Sequence, residues 1–252
     1  MNKTKIDWAT MTWNPVTGCL RGCPYCYAEK IAKRFGQDAV LEKGNVWLVL
    51  DEPYYYGRVL PTRSPFPVGF QPTFHRYRLD EPAKIKQPQN VFVCSMADLF
   101  GDWVYDEWIE KVFEACNKAP QHRYLFLTKN PQRLIDLNRQ DELPLTKNFW
   151  YGTTITRDGQ FFAGDRNTFL SIEPIMGEFG KCENITNKLI QWVIVGAETG
   201  NRKGKVIPKR EWIEEIVENC RKRNIPVFLK NSLRDIWGES LIQEYPWGEE
   251  NV

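Results

Sequence analysis

Seven cysteines and two histidines bound the chemistry this sequence can do. Cys19, Cys23 and Cys26 fall together in the run Gly18-Cys19-Leu20-Arg21-Gly22-Cys23-Pro24-Tyr25-Cys26, a C-x3-C-x2-C spacing. The glycines before Cys19 and Cys23 allow backbone turns that let neighbouring thiolates converge on one inorganic centre. Thiolate sulfur selects zinc or iron–sulfur clusters. Three sulfurs are one short of the set that closes a tetrahedral zinc site or a cubane cluster, and an open position is what catalytic centres retain. A fourth ligand from Cys94, Cys116, Cys182 or Cys220 would instead make a closed zinc knuckle or an electron-transfer cluster. Three unliganded thiols are the remaining reading. His75 and His122 lie far apart and neither sits in an H-x-x-x-H pair, so metal chemistry here leans on sulfur.

Polar residues follow several short apolar runs. Ser95 and Asp98 follow VFVC, Thr128 and Lys129 follow YLFL, and Thr154 lies in a run ending at 155. Glu173 follows TFLSI, Glu198 and Arg202 follow WVIVG, and Lys230 follows VFL. In a parallel sheet these positions collect at the carboxyl ends of the strands, where active sites are built. Pro174 restricts Glu173 to extended backbone that can aim its carboxylate inward. The competing reading is a salt-bridge network of Glu198 with Lys230. Asp98, flanked by apolar residues, is either a buried functional acid or the N-cap of a turn. Cys94 ends its run and reads as packed core or as a reactive thiol.

The elements that must carry these residues alternate. Continuous apolar runs at 10–17, 45–50, 91–94, 124–127, 149–155, 168–172, 192–195 and 226–229 suit strands buried on both faces of a parallel sheet. Helical spacing fills 27–35, 106–118 with Asp106 as N-cap, 131–137 with Pro131 in its first turn, and 209–223. The alternation predicts an α/β fold, a partial or full (βα) barrel of parallel strands, as one domain over 1–252. Residues 51–74, with five prolines and little periodicity, read as a loop insertion.

Composition is globular, with 42% hydrophobic and 26% charged residues among 252. A net charge of +2 gives no overall field to attract nucleic acid. No run approaches the ~20 apolar residues that span a bilayer, and no export signal opens the chain, so a reducing cytoplasm is the expected compartment.

The cysteine run, with Tyr25 before the last cysteine, resembles the signature of the radical S-adenosylmethionine (SAM) superfamily. TWNPVTGC, CYAEK, SMADLF, LTKNPQRL, SIEP and VGAETG together resemble a phage-associated branch of it and span most of the chain. The cysteine loop is also similar to that of spore photoproduct lyase. The resemblance implies a [4Fe–4S] cluster on Cys19, Cys23 and Cys26, with the open iron chelating SAM. It implies reductive cleavage to a 5′-deoxyadenosyl radical that takes a hydrogen from a substrate, a nucleic acid or nucleobase being one class considered. Tyr25 would then pack beside the adenine, while Ser95, Asp98, Thr128, Lys129 and Thr154 would bind SAM, Lys129 through its carboxylate. Glu173, Glu198, Arg202 and Lys230 would meet substrate. Cys94 would return a hydrogen atom, as a cysteine does in spore photoproduct lyase. No G-G-E text follows the second strand, which leaves the SAM ammonium without its usual partner. An electron donor such as flavodoxin or ferredoxin and a companion protein are the implied partners. The rival class is a non-catalytic iron–sulfur or zinc module that binds nucleic acid through its aromatics and the basic stretch 202–210. Methyl or aminocarboxypropyl transfer from SAM is a third use of the same centre.

Overall fold

The computed structural model describes residues 1–36, 48–57, 60–180, 185, 187–238 and 240–248. In chain order it runs β1 (Asn2–Lys3), β2 (Met11–Trp13), β3 (Val16–Thr17), α1 (Tyr27–Phe35), β4 (Leu48–Leu50), β5 (Tyr55–Tyr56), β6 (Thr62–Arg63), β7 (Thr73–His75), α2 (Glu81–Lys84), β8 (Asn90–Val93) and α3 (Asp106–Asn117). It continues with β9 (Arg123–Thr128), α4 (Pro131–Arg139), β10 (Phe149–Ile155), β11 (Thr168–Ile172), β12 (Ile190–Val195), α5 (Arg210–Arg221), β13 (Val227–Leu229) and α6 (Arg234–Trp237). No helix among the described residues is long and apolar enough to cross a membrane.

The main sheet has eight strands in the order β1-β2-β8-β9-β10-β11-β12-β13. Seven are parallel, and β1 pairs antiparallel with β2. This corrects the expected (βα) barrel. The sheet is mixed, β1 and β13 end its strand order, and six helices accompany it among the described residues, two of them only four residues long. Residues 156–167, between β10 and β11, contain no helix, and none is found among the described residues between β11 and β12. The apolar rhythm marked β2 and β8 to β13 of the main sheet and the helices α1, α3, α4 and α5; it marked none of β1, β5, β6 and β7. Asp106 is the first helical residue of α3, not its cap, which is Tyr105. Residues 51–74 hold the small pair β5–β6 and part of β7, which joins β3 and β4 in a second sheet. The start of the run 45–50 lies outside the described residues.

A parallel sheet buried on both faces needs cover on both. Alternate residues separate the two covers. Tyr124 and Phe126 of β9 pack with Trp108, Val112 and Phe113 of α3, and Val193 and Val195 of β12 pack with Ile213 and Ile216 of α5. Each such buried side chain contributes about 1.5–3 kcal/mol. The other face carries Phe92, Leu125, Trp150, Phe169, Trp192 and Phe228. Among the described residues it is covered not by helices but by Trp8 from the N-terminal segment and Tyr245 and Trp247 from the C-terminal segment. Trp8 lies 4.6 Å from Phe92, and Trp247 lies 5.2 Å from Trp192 between ring centroids. Asp7 accepts a hydrogen bond from the Asn231 backbone N–H at 2.7 Å, tying the chain just before β2 to the chain just after β13.

Candidate functional site

On the aromatic-covered face, each strand continues toward its carboxyl end with smaller or polar residues. The sequence puts Thr154 two residues past Gly152, Ser171 and Glu173 beyond Phe169, and Lys230 beyond Phe228. Above the aromatic layer these residues open into a cavity of about 450 Å³. Of the fourteen residues singled out above, twelve line it: Cys19, Cys23, Cys26, Tyr25, Ser95, Asp98, Thr128, Lys129, Thr154, Glu173, Glu198 and Lys230. Cys94 and Arg202 do not line it.

The cysteine loop begins where β3 ends. Gly18 donates its N–H to the Met96 carbonyl at 2.9 Å and has φ +87. A Cβ there would come within 2.1 Å of the Gln71 carbonyl oxygen, so only glycine fits. Gly22 also has positive φ, +68. Cys26 caps α1, its Sγ accepting the Glu29 N–H at 3.3 Å. The three cysteines are half-buried. Burial pushes the Cys19 thiol up to about 11; the Arg21 backbone opposes this, and Asp98, Cys23 and Cys26 add to it. Cys94 is buried with φ +57, and Cys116 and Cys220 are buried in the cores of α3 and α5. Cys182 lies outside the described residues.

Among the described residues, no three His, Cys, Asp or Glu side chains form a set that could hold a metal ion. A single tetrahedral zinc would need its sulfurs about 3.8 Å apart, from a Zn–S distance of about 2.3 Å. A cubane asks for something else, because each thiolate takes its own iron and the sulfurs stay spread around the cluster. Three sulfurs on one anchored turn, beside a shared cavity that no other described cysteine lines, match a cluster in donor type.

Asp98 fastens this loop to the sheet. Its carboxylate accepts the Thr128 hydroxyl at 2.6 Å, the Lys129 N–H at 3.0 Å and the Phe100 N–H at 3.2 Å, and lies 3.7 Å from Arg21 of the loop. These partners take three of the roughly four acceptor sites of Asp98 and the proton of the Thr128 hydroxyl, so both residues act on the site's shape. Ser95 is held likewise: its hydroxyl donates to Asn14, and its carbonyl accepts the Tyr27 hydroxyl at 2.6 Å. The Lys129 ammonium stands 5.8 Å over the Tyr25 ring.

The acids on the later strands are not paired as the competing salt-bridge reading had them. Glu198 takes Arg202 in two hydrogen bonds of 2.7 Å, which hold its carboxyl below the usual range. Lys230 pairs instead with Glu173. The Glu173–Pro174 peptide is cis. Sequence reasoning missed Lys5, Asp7 and Trp8 of the N-terminal segment, together with Arg21, Phe92 and Ser171, all of which line the cavity. Ser171 carried a signal, since it shares a strand face with Glu173 two residues on. The N-terminal segment carried none, having no periodicity.

Residues 3–244 match the model of the family described as Protein of unknown function (DUF5131), and the chain belongs to that family. No curated protein and no solved structure matches the chain.

Proposed function

We propose that the chain is a radical SAM enzyme that holds a [4Fe–4S] cluster on Cys19, Cys23 and Cys26. The observation that carries the reading is the convergence of this cysteine turn with the strand-end polar residues on one cavity. When bound, the cluster supplies the electron that cleaves the S–C5′ bond of SAM and so yields a carbon radical able to take a hydrogen from substrate. The chain's own residues do the rest. Asp98 locks the loop to the ends of β8 and β9, which fixes the three thiols relative to the cavity. Lys129 offers an ammonium to the SAM carboxylate, and Tyr25 offers a ring face beside it. Glu173 lies close enough to Tyr27, the residue after Cys26, for its charge to act on the Tyr27 hydroxyl, which makes it an acid placed to meet the SAM ammonium. The apolar walls of Trp8, Phe92 and Leu127 keep water from a reactive carbon. An electron donor of the flavodoxin or ferredoxin kind and a reducing cytoplasm complete the proposal.

The test is anaerobic reconstitution followed by dithionite and SAM. The reading expects a brown protein with about four irons per chain and 5′-deoxyadenosine as product. Methylthioadenosine or a methylated product would move the chemistry to group transfer. A colourless zinc protein that resists reconstitution would remove the reading.

A further inference from the structure

We propose that a second cavity, at the opposite end of the main sheet from the cysteine loop, binds a tetrahedral dianion, the class of a phosphate group. It has a volume of about 270 Å³ and opens at the amino ends of three neighbouring strands, β8, β9 and β10. Arg123 and Lys147 line it with the amides of Gln89, Gln121 and Asn148. Among the described residues no carboxylate lines it, and neither cation has an ion-pair partner. Two unmatched positive charges surrounded by amide donors call for a ligand with two negative charges; a single carboxylate would leave one cation unmatched. None of these residues lines the cysteine cavity, so the inference stands apart from the enzyme reading.

Arg123 is held in place without being neutralised. Its Nη1 donates to Asn90 Oδ1 at 2.6 Å, and its guanidinium lies 3.9 Å from the centroid of the Trp247 ring. These contacts fix the side chain but bring no negative charge. Burial holds the guanidinium below the ordinary arginine value, and no nearby acid opposes it. A half-buried cation of this kind is stabilised by an anion sharing its pocket. The one hydrogen bond to Asn90 leaves further N–H donors for the paired contacts a guanidinium makes with phosphate oxygens. Lys147 is exposed and adds a point charge. His122 supplies an independent signal: it lines the same cavity and is 1% exposed. Its Nε2 lies 3.0 Å from the Pro82 carbonyl oxygen, while Nδ1 is buried without a hydrogen-bond partner. The wall therefore keeps a polar atom for a ligand to satisfy.

The experiment is isothermal titration of the full chain with sodium phosphate in a chloride buffer of fixed ionic strength. Uridine 5′-monophosphate forms a second arm, and acetate and uridine are the controls. The proposal expects saturable one-to-one binding of phosphate or of the monophosphate, about tenfold or more tighter than acetate or uridine. It expects about tenfold or more weakening by Arg123→Gln and by Lys147→Gln, in variants that still unfold cooperatively without ligand. Lys147 is exposed, so its variant tests the site even where Arg123→Gln disturbs the Trp247 contact. Lys118→Gln, at an exposed lysine outside the cavity, should leave binding unchanged. The tighter of the two arms names the source, a free phosphate ion or the phosphate of a nucleotide. No binding in either arm, acetate binding as tightly as phosphate, uridine binding as tightly as its monophosphate, or binding unmoved by both cavity substitutions overturns the proposal.

Discussion

Glu173, just past β11, and Lys230, just past β13, form their ion pair across the end of the strand between them. Gly196 makes this possible. A Cβ on it would stand 2.9 Å from Lys230 Cδ and 3.4 Å from Glu173 Cδ. The pair is partly buried, with 28% and 16% of the two side chains exposed. Lys230→Met should cost about 1–3 kcal/mol, because it leaves the Glu173 carboxylate without its partner. Adding Glu173→Gln should restore part of that loss. Urea unfolding of the two single variants and the double variant measures the coupling; strictly additive losses would show that the two side chains do not interact.

The two glycines of the cysteine loop should differ in tolerance. Both have positive φ, but a Cβ at Gly18 meets backbone at 2.1 Å while one at Gly22 meets nothing within 4 Å. Gly22→Ala should cost about 1–2 kcal/mol, the left-handed penalty alone. Gly18→Ala should cost clearly more, since Gln71 or the loop must move. Denaturant midpoints of the two variants give the order, and equal losses would contradict it.

Asp98→Asn keeps the shape of the side chain and removes one accepting oxygen. With three hydrogen bonds converging on the carboxylate, the loss should be about 2–3 kcal/mol, against about 1 kcal/mol for Thr128→Val. Thermal unfolding checks the ranking. A smaller effect for Asp98→Asn than for Thr128→Val would show that Asp98 does not anchor the loop.

His75 gives a pH signature away from the cavity. Burial, with Arg78 and Arg63 nearby, holds it down to about 2, while an unfolded histidine titrates near 6.5. The folded state therefore stays neutral while the unfolded chain takes up a proton. Stability should fall as pH drops below about 6.5, with this residue adding up to about 1.4 kcal/mol per pH unit. His75→Gln should flatten the acid limb of a stability–pH profile by that amount. An unchanged slope would mean that His75 is protonated in the fold.

What the sequence revealed and what it concealed have one cause. Runs of β-branched and aromatic residues marked β10 and β11 to the residue, because strands buried on both faces carry few charged residues. The ends of those runs located Thr154, Glu173 and Lys230, since parallel strands deliver their carboxyl ends to one side. Architecture needs more than local rhythm. Nothing in the spacing showed that the segment after β10 would do without a helix, or that Trp8, Tyr245 and Trp247 would cover the second face. Hydrogen-bond commitments were equally hidden. Asp98 lines the cavity, yet its partners bind it to the scaffold, and Glu198 turns to Arg202 and not to Lys230.

The central claim is an iron corner left open by three cysteines. Mössbauer spectroscopy of the ⁵⁷Fe-reconstituted protein, with and without SAM, addresses it most directly. The account predicts a [4Fe–4S] spectrum in which SAM shifts a single iron site, and loss of that spectrum in Cys19→Ala. A spectrum indifferent to SAM, or a chain that takes up zinc in place of iron, would contradict it.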